Sequence, residues 1–508
     1  MIPAGGRDSR RAAVVLSYAG SGAAIAAAVL LTPLMVSVLG VDDFGVLQVG
    51  LSFAGFLVVF NFGLRVIAAR QVAAGRLERD DEMVARRVGV LIVGLVVTLL
   101  ALLSAASAGS ALISPLFAAK LSPDQLGAVY WVYWLAVLNL AISYGVDLLM
   151  GVLTGYERFT VAYSLSLARI VTRAVLVAGL LVAGWGLVGV ALADVMVSAA
   201  LLLIQLYYFR RHVPLRAKVK GFDRPLARQS ALFGMALFVG SIATQVHMTA
   251  DKVILGALSA PAVVAVYAVA LTIYTAFATL SQAIGGIYVP EAVQLVFKGA
   301  GRDELTQMVV RPGRFQFVVG GTLLGAFLLF GGDFLKFWVG EEFTAAWLPA
   351  TMLIVTNLVQ SVESVALAVL DARMKRAVRS AVALSSAAIN VALTLILVPH
   401  LGFLGAALGT TISMWICEIP LMNWYYHTRL GLDVPKMFAG ITRRLLPVIM
   451  GCTALFVPVR SVTPQGWWFF VVEVGAYLLL CAVSIFWLGL SRPERLQVRQ
   501  LWSKLRRT

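Results

Sequence analysis

The chain alternates between long apolar runs and short polar segments, and the apolar runs recur from end to end. A run of roughly 18 or more apolar residues is long enough to cross a bilayer as a helix. Fourteen such runs are delimited, at 12–39, 44–69, 88–117, 126–153, 159–183, 186–209, 229–257, 262–289, 313–337, 346–371, 377–399, 402–425, 440–459 and 466–490. They predict an all-α polytopic membrane protein with 14 transmembrane helices. The first run is too long for the core of a signal peptide and lacks a cleavage site, so it reads as the first spanning helix.

Charge placement orients these spans. With the N-terminus placed in the cytoplasm, almost all of the 41 Lys and Arg fall in cytoplasmic segments, while the outside loops hold only Lys120, Lys336 and Arg460. That asymmetry is the positive-inside pattern, and it puts both termini in the cytoplasm. It also accounts for the net charge of +16 without any nucleic-acid partner. Composition agrees: 60% of residues are hydrophobic and 13% charged, against about 25% charged in a soluble domain. Cys417, Cys452 and Cys481 lie within apolar runs without metal-ligand spacing, so no disulfide framework, metal site or cofactor is expected.

An internal echo organises the spans. GWGLVGVALA (184–193) reappears as HLGFLGAALG (400–409), 216 residues on, with Gly186, Gly189, Ala191 and Leu192 falling on Gly402, Gly405, Ala407 and Leu408. VLTGYERF (152–159) pairs with VLDARMKR (369–376), and VLGVDDFGVLQV (38–49) with ILGALSAPAVVAVYAV (254–269). Spans 1–6 and 7–12 are therefore two copies of one six-helix unit. Six is even, so the repeats are parallel, and spans 13 and 14 stand outside them. The expected domains are an N-lobe at 1–209, a basic cytoplasmic linker at 210–228, a C-lobe at 229–425, the last two spans at 426–490 and a basic tail at 491–508. The first echo is also a literal G-x-G-x-x-G. It lacks the preceding strand and the downstream acidic residue of a dinucleotide site, so its glycines read as a tight hairpin.

Two six-helix lobes suit alternating access, with a substrate site at their interface. No Walker A loop, HExxH or nucleophile elbow is present, so transport is expected rather than catalysis. Charges inside spans are expensive and must face a partner or a wet cavity. Arg169 and Arg173 share a face of span five, Arg65 lies near the cytoplasmic end of span two, and Lys252 is in span seven. These four form the candidate cationic wall for an anionic substrate, since the guanidinium fork matches phosphate oxygens. Alternatively, Arg173 pairs with Asp194 as structural glue and Arg65 snorkels to the headgroups. Asp194, Asp251, Glu363 and Glu418 are the coupling or gating candidates. His247 reads as a packed polar residue or a proton relay. The aromatic run YWVYW (130–134) reads as an interfacial belt or a sugar-stacking mouth. The basic segment 210–228 reads as an orientation signal or a docking site, and LWSKLRR (501–507) as a tail on the inner leaflet.

Three stretches carry a family likeness. LGVDDFGVLQV resembles the LG-acidic-acidic-aromatic-G motif after the first helix of polysaccharide flippases. ADKVILGALSAPAVVAVYAVA resembles their D-K-x-x-(I/L)-G … Y-x-x-A motif at helices seven and eight. LDARMKRAVRSAVALSSAAINVALTLILVPHLGFLGAALGTTIS resembles their signature over helices ten to twelve, including Asn390, the Pro399–Gly402 turn and Gly405–Ala407. The chain thus resembles the polysaccharide transporter branch of the MOP superfamily, which includes the Wzx-type flippases, over spans 1–12. The resemblance implies a substrate, an undecaprenyl-pyrophosphate-linked oligosaccharide moved across a bacterial inner membrane for O-antigen, exopolysaccharide or capsule synthesis. It leaves a polysaccharide polymerase and co-polymerase as candidate partners. A lipid II flippase and a MATE-type antiporter are the alternatives within the superfamily; a non-transporting scaffold for glycan assembly is the alternative outside it.

Overall fold

A computed structural model describes residues 7–77, 81–212, 223–286, 288–373, 376–462, 466–491 and 494–496. Most of the basic linker (213–222) and the tail segment LWSKLRR lie outside the described residues. Within them the chain is helical and has no strand. The helices are α1 (Arg7–Leu39), α2 (Val41–Gly55), α3 (Leu64–Leu77), α4 (Asp81–Phe117), α5 (Pro123–Gly155), α6 (Phe159–Val182), α7 (Gly186–His212), α8 (Arg224–Leu258), α9 (Pro261–Gly286), α10 (Val289–Phe297), α11 (Arg302–Trp338), α12 (Trp347–Val362), α13 (Ser364–Ala372), α14 (Arg376–Leu401), α15 (Phe403–Ser413), α16 (Ile419–Thr428), α17 (Val434–Val462) and α18 (Trp467–Ser484).

Fourteen segments among the described residues are long and apolar enough to cross a membrane, and each overlaps one expected span. The largest difference at a start is in the ninth, where α11 begins at Arg302 rather than at 313. Gly301 stands before a first turn holding Asp303 and Glu304, which favour a helix N-terminus. Hydropathy registers only the apolar part of such a helix.

Four spans are not continuous α-helices; the fourteenth ends in a π-turn at Ile485–Gly489. The second is interrupted by a 3-10 turn at Phe56–Asn61, followed by Phe62 and Gly63 with φ of 48° and 69°. The tenth breaks at Glu363, between α12 and α13. The twelfth carries a π-turn at Met414–Glu418, between α15 and α16. Such irregularities are tolerated at membrane depth only where protein or a cavity satisfies the freed backbone groups.

The repeated glycines form matching hairpins. Gly186 and Gly402 have φ of 56° and 54°, the left-handed region that favours glycine. Three residues on, a Cβ on Gly189 would lie 2.7 Å from the Cβ of Trp185, and one on Gly405 would lie 2.6 Å from the backbone of Leu397. Both copies thus spend one glycine on the reversal and another on close approach, as expected for a hairpin.

The described chain divides into two compact units. One comprises Met1–Ala268 and Ala383–Gly409; the other comprises Val269–Val382 and Thr410–Thr508. In the first unit α5 packs against α2, α3, α4 and α7. Its contact with α3 uses Gly151 and Gly155, a G-x-x-x-G pair in which a Cβ on Gly151 would collide with the carbonyl oxygen of Arg65. In the second unit α11 is central, packing against α12, α17 and α18. Tyr477 and Cys481 of α18 are buried with Leu445 and Ile449 of α17 and Phe330 of α11.

Arg314, at the start of the ninth expected span, is only 13% exposed. It donates to Glu494 at 2.8 and 3.1 Å, to the carbonyl of Gly440 at 2.8 Å and to that of Gly489 at 2.9 Å. Ser491 also donates to Glu494, from its backbone at 2.7 Å and its hydroxyl at 2.8 Å. Burial raises the Glu494 pKa, but the Arg314 and Ser491 hydrogen bonds outweigh it and hold the carboxyl below its ordinary value of about 4.3. A depressed carboxyl stabilises the fold above its unfolded pKa, and that contribution is lost as pH falls through the folded value. The clasp should therefore hold at neutral pH and open in acid. Hydrogen exchange over 489–496 should rise on acidification, and Glu494→Gln should give the same rise at neutral pH.

Candidate functional site

The first unit gathers charge around the break in the second span. Asn61, last residue of the 3-10 turn, accepts a hydrogen bond from the backbone of Leu64 at 3.1 Å and so caps α3. Its side-chain nitrogen donates to Asp147 Oδ2 on α5 at 3.0 Å. Tyr144, one turn earlier on α5, donates its hydroxyl to the carbonyl of Leu57 at 2.7 Å and ties α5 to the 3-10 turn. Phe62 holds a left-handed backbone conformation, a cost of about 1–3 kcal/mol for a non-glycine residue. Its ring stacks on Phe238 at 4.8 Å.

Arg65, in the first turn of α3, and Arg169, on α6, both interact electrostatically with Asp147. Among the described residues neither closes to an ion pair with it. Arg65 is exposed and Arg169 half-buried. Arg169 reaches Ser143 at 3.4 Å, and Ser143, Ser198 and Asn139 continue a polar chain at 3.3 and 2.6 Å. The result is two guanidiniums around one carboxylate, at the N-terminal and therefore positive end of a half-helix.

Arg173 does not join this group. Its Nε and Nη2 donate to the two oxygens of Asp194 at 2.5 and 3.3 Å, a two-pronged pair between α6 and α7. Neutralising either partner leaves the other charge alone, so Arg173→Gln and Asp194→Asn should each cost about 1–2 kcal/mol of stability in this half-exposed setting. The double variant should recover much of that loss. Thermal unfolding of the purified protein checks this.

Asp251 and Lys252 separate, as neighbours on a helix must. Asp251 is buried, accepting from the Tyr267 hydroxyl at 2.6 Å and the Thr394 hydroxyl at 3.0 Å. Lys252 is half-buried and forms no ion pair among the described residues. His247 is buried, and neither ring nitrogen has a hydrogen-bond partner among the described residues. In YWVYW, Trp131 and Trp134 are exposed, whereas Tyr133 is buried and donates to the carbonyl of Ala106 at 2.8 Å.

The second unit contains a cavity of about 380 Å³ lined by side chains of α9, α12, α13, α14 and the π-turn region. Glu363 and Glu418 both line it, together with Arg379, Asn357, Gln360 and Tyr426. Each glutamate sits at one of the helix irregularities, which turn it out of an otherwise regular span. Glu363 accepts from Asn423 at 2.7 Å, and Arg379 interacts with Glu418. Two carboxylates and one guanidinium make this cavity acidic. The expected cationic residues are absent from its lining. No cluster of metal-ligating residues occurs among the described residues.

Asp147, Asn61 and Arg379 were missed by the sequence reading. A lone aspartate in an apolar run is itself a functional signal, and Asn-Phe-Gly is a turn signal inside a span. Arg379, three residues into the eleventh expected span, reads as an extension of the basic segment 373–376 until the fold brings it to Glu418.

Comparison with known proteins bears on the fold and the family. A search of curated proteins finds no match. Among solved structures, the lipid II flippase MurJ in an inward-closed conformation aligns with a TM-score of 0.74 at 13% identity, covering 92% of this chain and 97% of that one. An inward-facing multidrug resistance MATE transporter of the MOP superfamily gives 0.62 at 14% identity, covering 81% and 93%. A variant of the Vibrio cholerae MATE transporter VcmN gives 0.54 at 16% identity, covering 84% and 98%. The chain therefore has the fold of these transporters: an all-α multi-pass membrane protein with two six-helix repeats and two further helices. The model of one sequence family, polysaccharide biosynthesis protein, matches residues 9–296, more than half of the chain, and on that match the chain belongs to the polysaccharide biosynthesis protein family.

Proposed function

We propose that this protein is a flippase that moves an undecaprenyl-diphosphate-linked oligosaccharide from the cytoplasmic to the outer leaflet of a bacterial inner membrane, by alternating access. The family supports a role in polysaccharide synthesis. The observation that carries the anionic headgroup is the pair Arg65, in the first turn of the half-helix α3, and Arg169, on α6, which both interact with Asp147. Two arginines beside a positive helix end suit a diphosphate, and suit the cationic substrates of a multidrug antiporter poorly. Arg173 is assigned to structure, because Asp194 already occupies its fork.

Of the four coupling candidates, Asp194 is closed by Arg173 and Asp251 is buried against Tyr267 and Thr394, while Glu363, which accepts from Asn423, and Glu418 line a polar cavity large enough for water. We assign the coupling ion to this glutamate pair. The double variant Glu363→Gln/Glu418→Gln should still bind substrate but lose the dependence of transport on an imposed pH gradient in proteoliposomes. An unchanged dependence rejects the assignment.

The reading as a whole is tested in the host. Deleting the gene should cause diphosphate-linked oligosaccharide to accumulate on the cytoplasmic leaflet, with loss of surface glycan. Accumulated lipid II with lysis points instead to the peptidoglycan precursor. Intact glycan with new sensitivity to cationic dyes points to an antiporter. Restoration of glycan by a variant that cannot move lipid supports a scaffold.

A further inference from the structure

We propose that Asp147 is a resident counter-anion of the diphosphate site: it holds Arg65 and Arg169 in the empty protein and keeps the affinity for the headgroup low enough for release. The inference rests on the reading of Arg65 and Arg169 as the headgroup site. Asp147 is half-buried on α5 and is fixed by Asn61, which donates at 3.0 Å to one carboxylate oxygen. Both guanidiniums interact with it without pairing.

This differs from the arrangement at Arg173, where Asp194 fills the fork at 2.5 and 3.3 Å and leaves no donor pair for a ligand. At Asp147 the cations outnumber the carboxylate and stay open. Two arginines inside a membrane without any counter-charge would carry a large desolvation cost, and one carboxylate at intermediate range reduces it. A diphosphate entering the same space meets two cations and one like charge. Like-charge juxtaposition weakens binding substantially, and a carrier that binds its cargo too tightly cannot release it. Asn61 lets the carboxylate serve this role in a fixed position, because the same side chain caps α3 and orients Arg65 in its first turn.

The test uses the full-length protein in detergent, with farnesyl diphosphate as the charged probe and farnesol as its uncharged counterpart. Wild type should bind the diphosphate more tightly than the alcohol. Asp147→Asn, which can still accept from Asn61, should bind the diphosphate about tenfold tighter, with farnesol unchanged. Asp147→Ser should shift in the same direction and serves if the amide variant does not fold. Asp147→Glu should return the affinity toward wild type. In proteoliposomes the neutral variants should flip lipid more slowly despite binding better, a split that structural damage does not produce. Wild-type preference for the diphosphate that depends on Arg65 and Arg169, with no tightening in the neutral variants, overturns the counter-anion role alone. No preference in any variant overturns that role and the diphosphate reading together.

Discussion

Replacing Arg65 and Arg169 together by glutamine should lower transport by about a hundredfold while leaving protein levels near normal. Removing a charged partner of a bound anion costs several kcal/mol when the contact is desolvated, and two such contacts act on one headgroup. Stability should fall by less than for Arg173→Gln, because neither arginine is held in an ion pair among the described residues and Asp147 keeps its hydrogen bond from Asn61. Each single variant should fall between, with Arg169→Gln the more severe, since Arg169 is half-buried and Arg65 exposed. Arg173→Gln should behave in the opposite way, losing stability before it loses transport, because its guanidinium is committed to Asp194. Transport per folded molecule, measured beside thermal unfolding, separates the two classes.

Gly151→Val should be among the most damaging single substitutions in the first unit. A Cβ at this position would collide with the carbonyl oxygen of Arg65 and lie 2.7 Å from the Cβ of Ala68. The opposing atoms belong largely to the α3 backbone, so no side-chain rotation relieves the clash. Overpacking of this kind costs about 3 kcal/mol. Gly155, one turn on, meets Val72 and the carbonyl of Ala69 in the same way. Forcing α5 away from α3 also moves Asp147 from Asn61 and Arg65, so any protein that folds should transport poorly. Unfolding temperature and expression should fall together, whereas Gly179→Val, in open space on α6, should leave both close to wild type.

The fold was legible because bilayer physics writes it plainly. A span must be apolar for its length, and loop cations must alternate, so fourteen spans and the repeat followed from patterning alone. The matching φ of Gly186 and Gly402 is the backbone form of an echo visible in the letters. The breaks were only partly legible: Asn-Phe-Gly marks a turn in the second span but not its backbone conformation. Nothing in FLVVFNFG announces that Phe62 turns left-handed, because the strain is imposed by packing that includes Phe238 and Tyr144 from other helices. The break at Glu363 and the π-turn at Glu418 left only traces in the letters: Gln360, Ser361 and Ser364 flank Glu363, and Pro420, without a backbone donor, follows Glu418.

The candidate site was legible in parts. Charged residues in spans identified themselves by cost, but partners did not. Arg169 and Arg173 share a helix face, yet one meets Ser143 and the open carboxylate Asp147, and the other is closed by Asp194. Glu363 and Glu418 lie far apart in sequence and share one cavity. Asp147 sat unweighed in an apolar run until the fold placed it beside the break in the second span.

The most direct test is leaflet transfer in proteoliposomes carrying purified protein and an undecaprenyl-diphosphate-linked oligosaccharide, read by access of a membrane-impermeant glycosidase. The account predicts that wild type exposes the outer pool's inner counterpart to the enzyme with time, and that Arg65→Gln/Arg169→Gln leaves it protected at equal protein incorporation. Equal transfer by the double variant, or none by a folded wild type, would contradict it.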